Sequence, residues 1–124
     1  MNARLAMALA AALLFVAVAL GAFGAHALKA KLATDQMAIY QTAVQYHFWH
    51  ALGLLGVSIL MAQWPTAQGL AWTAWLLIAG LFLFCGSLYA LALTGTPWLG
   101  VVTPIGGAAF IAAWLILAWV ALRH

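Results

Sequence analysis

The chain contains no glutamate and very little charge of either sign. Its five charged residues are Arg4, Lys29, Lys31, Asp35 and Arg123, and none lies between 36 and 122. A water-facing surface is normally about a quarter to a third charged. Here charge is 4% of 124 residues and the apolar fraction is 69%. That excludes a soluble domain and makes lipid the solvent. With Asp35 as the single acid, no carboxylate pair exists for acid–base work. No nucleophile sits beside a base and no glycine-rich loop is built to cradle phosphate, so hydrolysis and phosphoryl transfer lack their parts. The chain is read as non-enzymatic, with no cofactor implied. The single cysteine, Cys85, excludes an internal disulfide, and without a neighbouring cation it reads as an inert thiol. Four scattered cations do not form the clustered basic face that nucleic acid requires.

What the chain does have is long apolar runs. A span needs about 20 mostly apolar residues, so four spans with short connections use nearly all of it. The runs predict spans at about 5–25, 40–62, 69–93 and 103–122 of a single integral membrane domain. They are continuous rather than alternating, which argues against barrel strands. The expected fold is all-α: a four-helix transmembrane bundle of two helical hairpins. Gln63-Trp64-Pro65-Thr66 and Thr94-Gly95-Thr96-Pro97 punctuate the runs, and Pro104 is placed in the first turn of the fourth helix.

The first run has a competing reading. Arg4, the apolar stretch and Ala25-His26-Ala27 together mimic a cleaved signal peptide. A signal core is about 7–15 residues, shorter than this run, so a retained helix is favoured. Ala17, Gly21 and Ala25 supply a small-residue stripe for close packing. Trp64, Trp72, Trp98 and Trp119 fall near segment ends, at headgroup level, whereas Trp49, Trp75 and Trp114 are expected to pack inside. The echo between 21–28 and 86–93 is compatible with two related hairpins. Cations are divided two and two between the sides, and the first helix favours cytoplasmic termini, with a bacterial inner membrane as the expected location.

Four spans bring the end of the first, the start of the second, the end of the third and the start of the fourth to one side. Nearly all unusual residues sit there: His26, Tyr40, Gln41, Gln45, His47, His50, Ser87 and Tyr89. At about 100° per residue, Tyr40, His47, His50, Ser58 and Met61 share one stripe, expected to face the interior, with Gln41 and Gln45 on another face. His47 and His50 should lie roughly 6–10 Å below the headgroups at 1.5 Å per residue. Three readings of this polar cluster stand open. It is a set of hydrogen bonds that fixes the bundle, a polar or proton path, or a metal or haem site through His26, His47 and His50. The scarcity of carboxylates weighs against the last.

The motifs Leu20-Gly-Ala-Phe-Gly-Ala-His-Ala-Leu-Lys29, Tyr40-Gln41 with Tyr46-His47 and His50-Ala-Leu52, Phe84-Cys-Gly-Ser-Leu-Tyr89 with Thr94-Gly95, and Thr103-Pro-Ile-Gly-Gly107 occur in this order. Together they resemble the domain of unknown function 423 family. The resemblance covers nearly the whole chain and implies a small multi-pass membrane protein; it implies no activity and no site residue. The leading expectation is a small membrane component that binds a partner protein or lipid. Alternatives are an oligomeric transporter using the Tyr40/His47/His50 stripe, and the metal- or haem-binding protein. The expected partners are the bilayer and either a membrane protein or further copies of the chain.

Overall fold

The computed structural model describes residues 1–124 as helices joined by short turns, with no strand. Helix α1 runs Ala3–Leu28, α2 Thr34–Gln63, α3 Gly69–Thr94 and α4 Leu99–Arg123. The two hairpins, α1/α2 and α3/α4, make the most extensive contacts, and α2 also packs on α3. Helix α1 leans on α2 and hardly touches α3 or α4. Three helices, α1, α3 and α4, are long and apolar enough to cross a bilayer. At 30 residues α2 is longer than any of them, but Gln41, Gln45, His47, His50 and Ser58 dilute its apolar character. Three of those, His47, His50 and Ser58, are buried. The least apolar helix is therefore packed between two others, α1 and α3, as the cost of unpaired polar groups in hydrocarbon requires.

Lipid as solvent inverts the usual size rule. Between lipid and protein there is no hydrophobic preference, so close packing decides which residues face in. Ala6, Ala10, Ala17, Ala43 and Ala51 are fully buried, whereas Phe15 and Val101 are 75% and 72% exposed. The α1 seam runs through Ala6, Ala10, Ala17, Gly24 and Leu28. Ala25, expected in that stripe, faces outward and Gly24 takes its place, because seven residues make almost two helical turns and keep Gly24 in phase with Ala17; the last turn of α1, Gly24–Leu28, is a π-helix. The interior role expected for Trp49 and Trp75 is also corrected. They are 55% and 49% exposed, since an indole facing lipid carries no penalty from water. Trp114, 39% exposed, lays one edge of its ring over Gly53.

Two segment starts differ from expectation, and one segment end agrees with it. The polar stretch after α1 is only residues 29–33, because α2 begins at Thr34 rather than near Tyr40. Its first turn is held by the Ala33 N–H donating to Gln36 Oε1 at 3.3 Å, and Asp35 sits where the helix dipole favours an anion. Helix α4 begins at Leu99, so Pro104 occupies its second turn, not its first. The missing N–H falls opposite the carbonyl of exposed Gly100, near the helix end. Helix α3 stops at Gly95, whose φ of 67° is the chain's only positive one and forms a left-handed cap.

Candidate functional site

The polar side chains meet where α1, α2 and α3 converge, and two π-helical turns flank them. One is Gly24–Leu28; the other, Leu81–Cys85, lies in the middle of α3. Tyr40 is 1% exposed. Its hydroxyl donates to the Leu20 carbonyl of α1, and its ring lies so close to Gly24 that any β-carbon there would collide with it. Tyr89 of α3 meets Tyr40 edge-on, with centroids 5.3 Å apart. The Tyr89 hydroxyl is 2.9 Å from His47 Nδ1. We assign the phenol as donor, which satisfies its proton and leaves the imidazole N–H on Nε2.

That Nε2 has no hydrogen-bond partner, although His47 is only 4% exposed. The backbone of Leu13 faces it from α1, outside hydrogen-bond geometry. Beside it, between α1 and α3, lies a recess of about 170 Å³ lined by Leu13, Val16, Phe82, Cys85, Tyr89 and His47. A second recess of about 210 Å³ shares Leu13, Val16 and Phe82. Both exist because α1 does not close on α3.

The other candidates separate from this centre. His50 donates from Nδ1 to the Tyr46 carbonyl at 2.8 Å and stacks on Phe110 at 3.6 Å. Ser87 donates to the Phe84 carbonyl and pairs with Thr103 at 2.6 Å across the α3–α4 seam. Ser58, deep on the stripe, is fully buried and donates to the Leu55 carbonyl. His26, Gln41 and Gln45 are exposed. No three histidine, cysteine or acidic side chains come together as a metal-ligand set, so His26, His47 and His50 are not brought to one point. His47 is 13 residues into α2, about 20 Å from that helix's start at 1.5 Å per residue, because α2 starts at Thr34.

Sequence reasoning missed Phe110, Leu13 and the Leu20 carbonyl. Phe110 is an ordinary apolar residue of an apolar run and carries no signal. A backbone carbonyl acquires a role only through the helix that meets it.

Helices of this length and polarity, with a sparse buried polar cluster, define a small multi-pass α-helical integral membrane protein. Within that class, the chain belongs to the family described as protein of unknown function DUF423, which it matches over residues 20–107. It is 42% identical over 109 residues to the UPF0382 membrane protein YwdK of Bacillus subtilis, covering 88% of this chain and 89% of that one. It is 43% identical over 114 residues to the UPF0382 membrane protein SH2409 of Staphylococcus haemolyticus, covering 92% of each. The UPF0382 inner membrane protein YgdD of Escherichia coli is 38% identical over 123 residues, covering 99% of this chain and 93% of that one. No solved structure matches. These names describe membrane proteins and no reaction.

Proposed function

We propose that this protein is a non-enzymatic membrane component that binds a membrane-dissolved apolar molecule in the groove between α1 and α3. The ligand carries one acceptor oxygen, which His47 Nε2–H takes. The unpartnered Nε2 carries this reading. A buried donor without an acceptor costs about 1–3 kcal/mol and is uncommon enough to need a reason. The reason offered is an acceptor brought by the ligand. Nε2 has no exposed surface of its own, so entry requires α1 side chains such as Leu13 to give way. The loose α1–α3 seam favours that.

Depth narrows the ligand. Near the middle of a 45 Å helix, His47 is remote from phospholipid ester carbonyls, which stay at the interface. A carbonyl on an otherwise apolar ring, as in a lipid-soluble quinone, can reach it.

The test compares decylbenzoquinone with decylbenzene, each titrated into protein in nanodiscs and scored by native mass spectrometry. The quinone is expected to bind at least about tenfold more tightly, with His47→Leu removing that difference (about 1.4 kcal/mol). Val16→Trp, which touches no hydrogen bond of the cluster, is expected to block both compounds. Equal binding of the two by wild type would remove the role of His47. Binding unaffected by Val16→Trp would remove the groove.

A further inference from the structure

The hydrogen-bonded side chains of α2 are Gln36, Tyr40, Thr42, His47, His50 and Ser58. Gln41 and Gln45 are not among them. Both are exposed and stand four residues apart, on the same side of the helix. Gln45 is 11 residues into α2, about 16 Å along it, well below the charged residues 29–35. A primary amide facing hydrocarbon without a partner is costly. Below these amides, at helical spacing, follow Trp49, Leu52 and Ile59, which are 55%, 52% and 45% exposed. Gly56 lies between the last two, and a β-carbon added there would meet nothing within 4 Å. The stripe is exposed along its length and open at a glycine in the middle; at its polar end Gln41 and Gln45 border a recess of about 340 Å³ against Gly21, Gly24 and Lys29, without a hydrogen bond to any of them.

We infer that this face of α2 binds a second copy of the chain, α2 against α2, with Gln45 paired to Gln45 across a two-fold axis. The chemistry selects the occupant. Copies inserted with the same orientation are related by an axis along the membrane normal, so α2 runs parallel to its mate and each residue near the axis meets its own equivalent. Like charges would repel there. A carboxamide is self-complementary: each N–H donates to the other's oxygen, which removes both unpaired groups at once. Glutamine pairs of this kind hold transmembrane helices together, and small residues such as Gly56 let the backbones approach. Gln41, a turn nearer the surface, adds a second amide to the same seam. The groove between α1 and α3 is a separate face and stays open in such a dimer.

Disulfide trapping in native membranes tests this. Leu52→Cys keeps both amides and, in a Cys85→Ala background, places the only thiol on the proposed seam. Copper-phenanthroline is expected to cross-link it into a dimer at least about tenfold faster than Phe15→Cys, a lipid-facing control on α1. Adding Gln45→Leu to Leu52→Cys is expected to slow the cross-link to the control rate, while the protein still elutes as a folded species in detergent. Cross-linking at Leu52→Cys no faster than at Phe15→Cys would overturn the dimer. Fast cross-linking that Gln45→Leu leaves unchanged would overturn the amide pair. Slow cross-linking combined with a phospholipid retained on Gln41 and Gln45 in native mass spectrometry would give this face to a lipid headgroup, and would also overturn the dimer.

Discussion

Replacing Gly106 by alanine is expected to destabilise the bundle by about 2–3 kcal/mol, the upper part of the range for overpacking a tight interior. Gly106 is buried in α4 against α3, and a β-carbon there would meet the backbone N and Cα of Phe84. A flexible side chain could swing away; a backbone inside a helix cannot. The collision falls on the π-helical turn Leu81–Cys85, so α3 and α4 must move apart, which strains the Ser87–Thr103 bond on the same seam. The sequence places a second glycine beside it as a control. At Gly107 a β-carbon would sit 3.7 Å from the Phe84 ring, an ordinary contact, and Gly107→Ala is expected to be nearly neutral. Unfolding by SDS titration, followed by circular dichroism, reads both.

The second large effect is expected at Phe110→Ala, a loss of about 3 kcal/mol. This is the lower end of the range for removing a buried phenylalanine in a soluble core, because lipid exerts no hydrophobic pressure on the site and what is lost is packing. Phe110 is 4% exposed. It stacks on His50 at 3.6 Å, faces Phe84 at 5.5 Å, and covers Gly80 so closely that a β-carbon there would strike its ring. Its removal leaves a void shared by three helices. Phe15→Ala, equal in chemistry but lipid-facing, is expected to shift the same SDS midpoint hardly at all.

Much of the bundle is legible in the sequence because the bilayer simplifies it. Charge is confined to segment ends, so Lys29 and Arg123 mark boundaries and Pro65 and Gly95 mark turns. Connectivity alone then brings the unusual residues to one region. The Tyr40/His47/His50 stripe follows from helical spacing, and Tyr40, His47 and Tyr89 do meet. What spacing misses is phase. A stripe drawn every four residues drifts by about 40° a step, so Ala25 leaves the seam, whereas Gly24, seven residues after Ala17, stays in it. The tryptophans mislead for a different reason. Size and apolarity imply an interior only where water is outside, and Trp49 and Trp75 face lipid at no cost. Gln41 and Gln45 share the sequence neighbourhood of the cluster but not its face. His26 stands two residues from buried Gly24 and from buried Leu28, and so faces away from the seam.

The bundle requires α2 to cross the membrane, although it is less apolar than its neighbours and carries Tyr40 and His47, the two buried residues of the central cluster. Single cysteines at Thr66 and Thr96, in a Cys85→Ala background, would be labelled with a membrane-impermeant maleimide in sealed inverted vesicles and in intact cells. With four crossings, Thr66 and Thr96 lie on opposite sides, so each is expected to label in only one of the two preparations, and not in the same one. A third cysteine at Lys31 should follow Thr96. If Lys31 and Thr66 label from the same side, α2 does not cross, and the bundle, its groove and the paired amides are contradicted together.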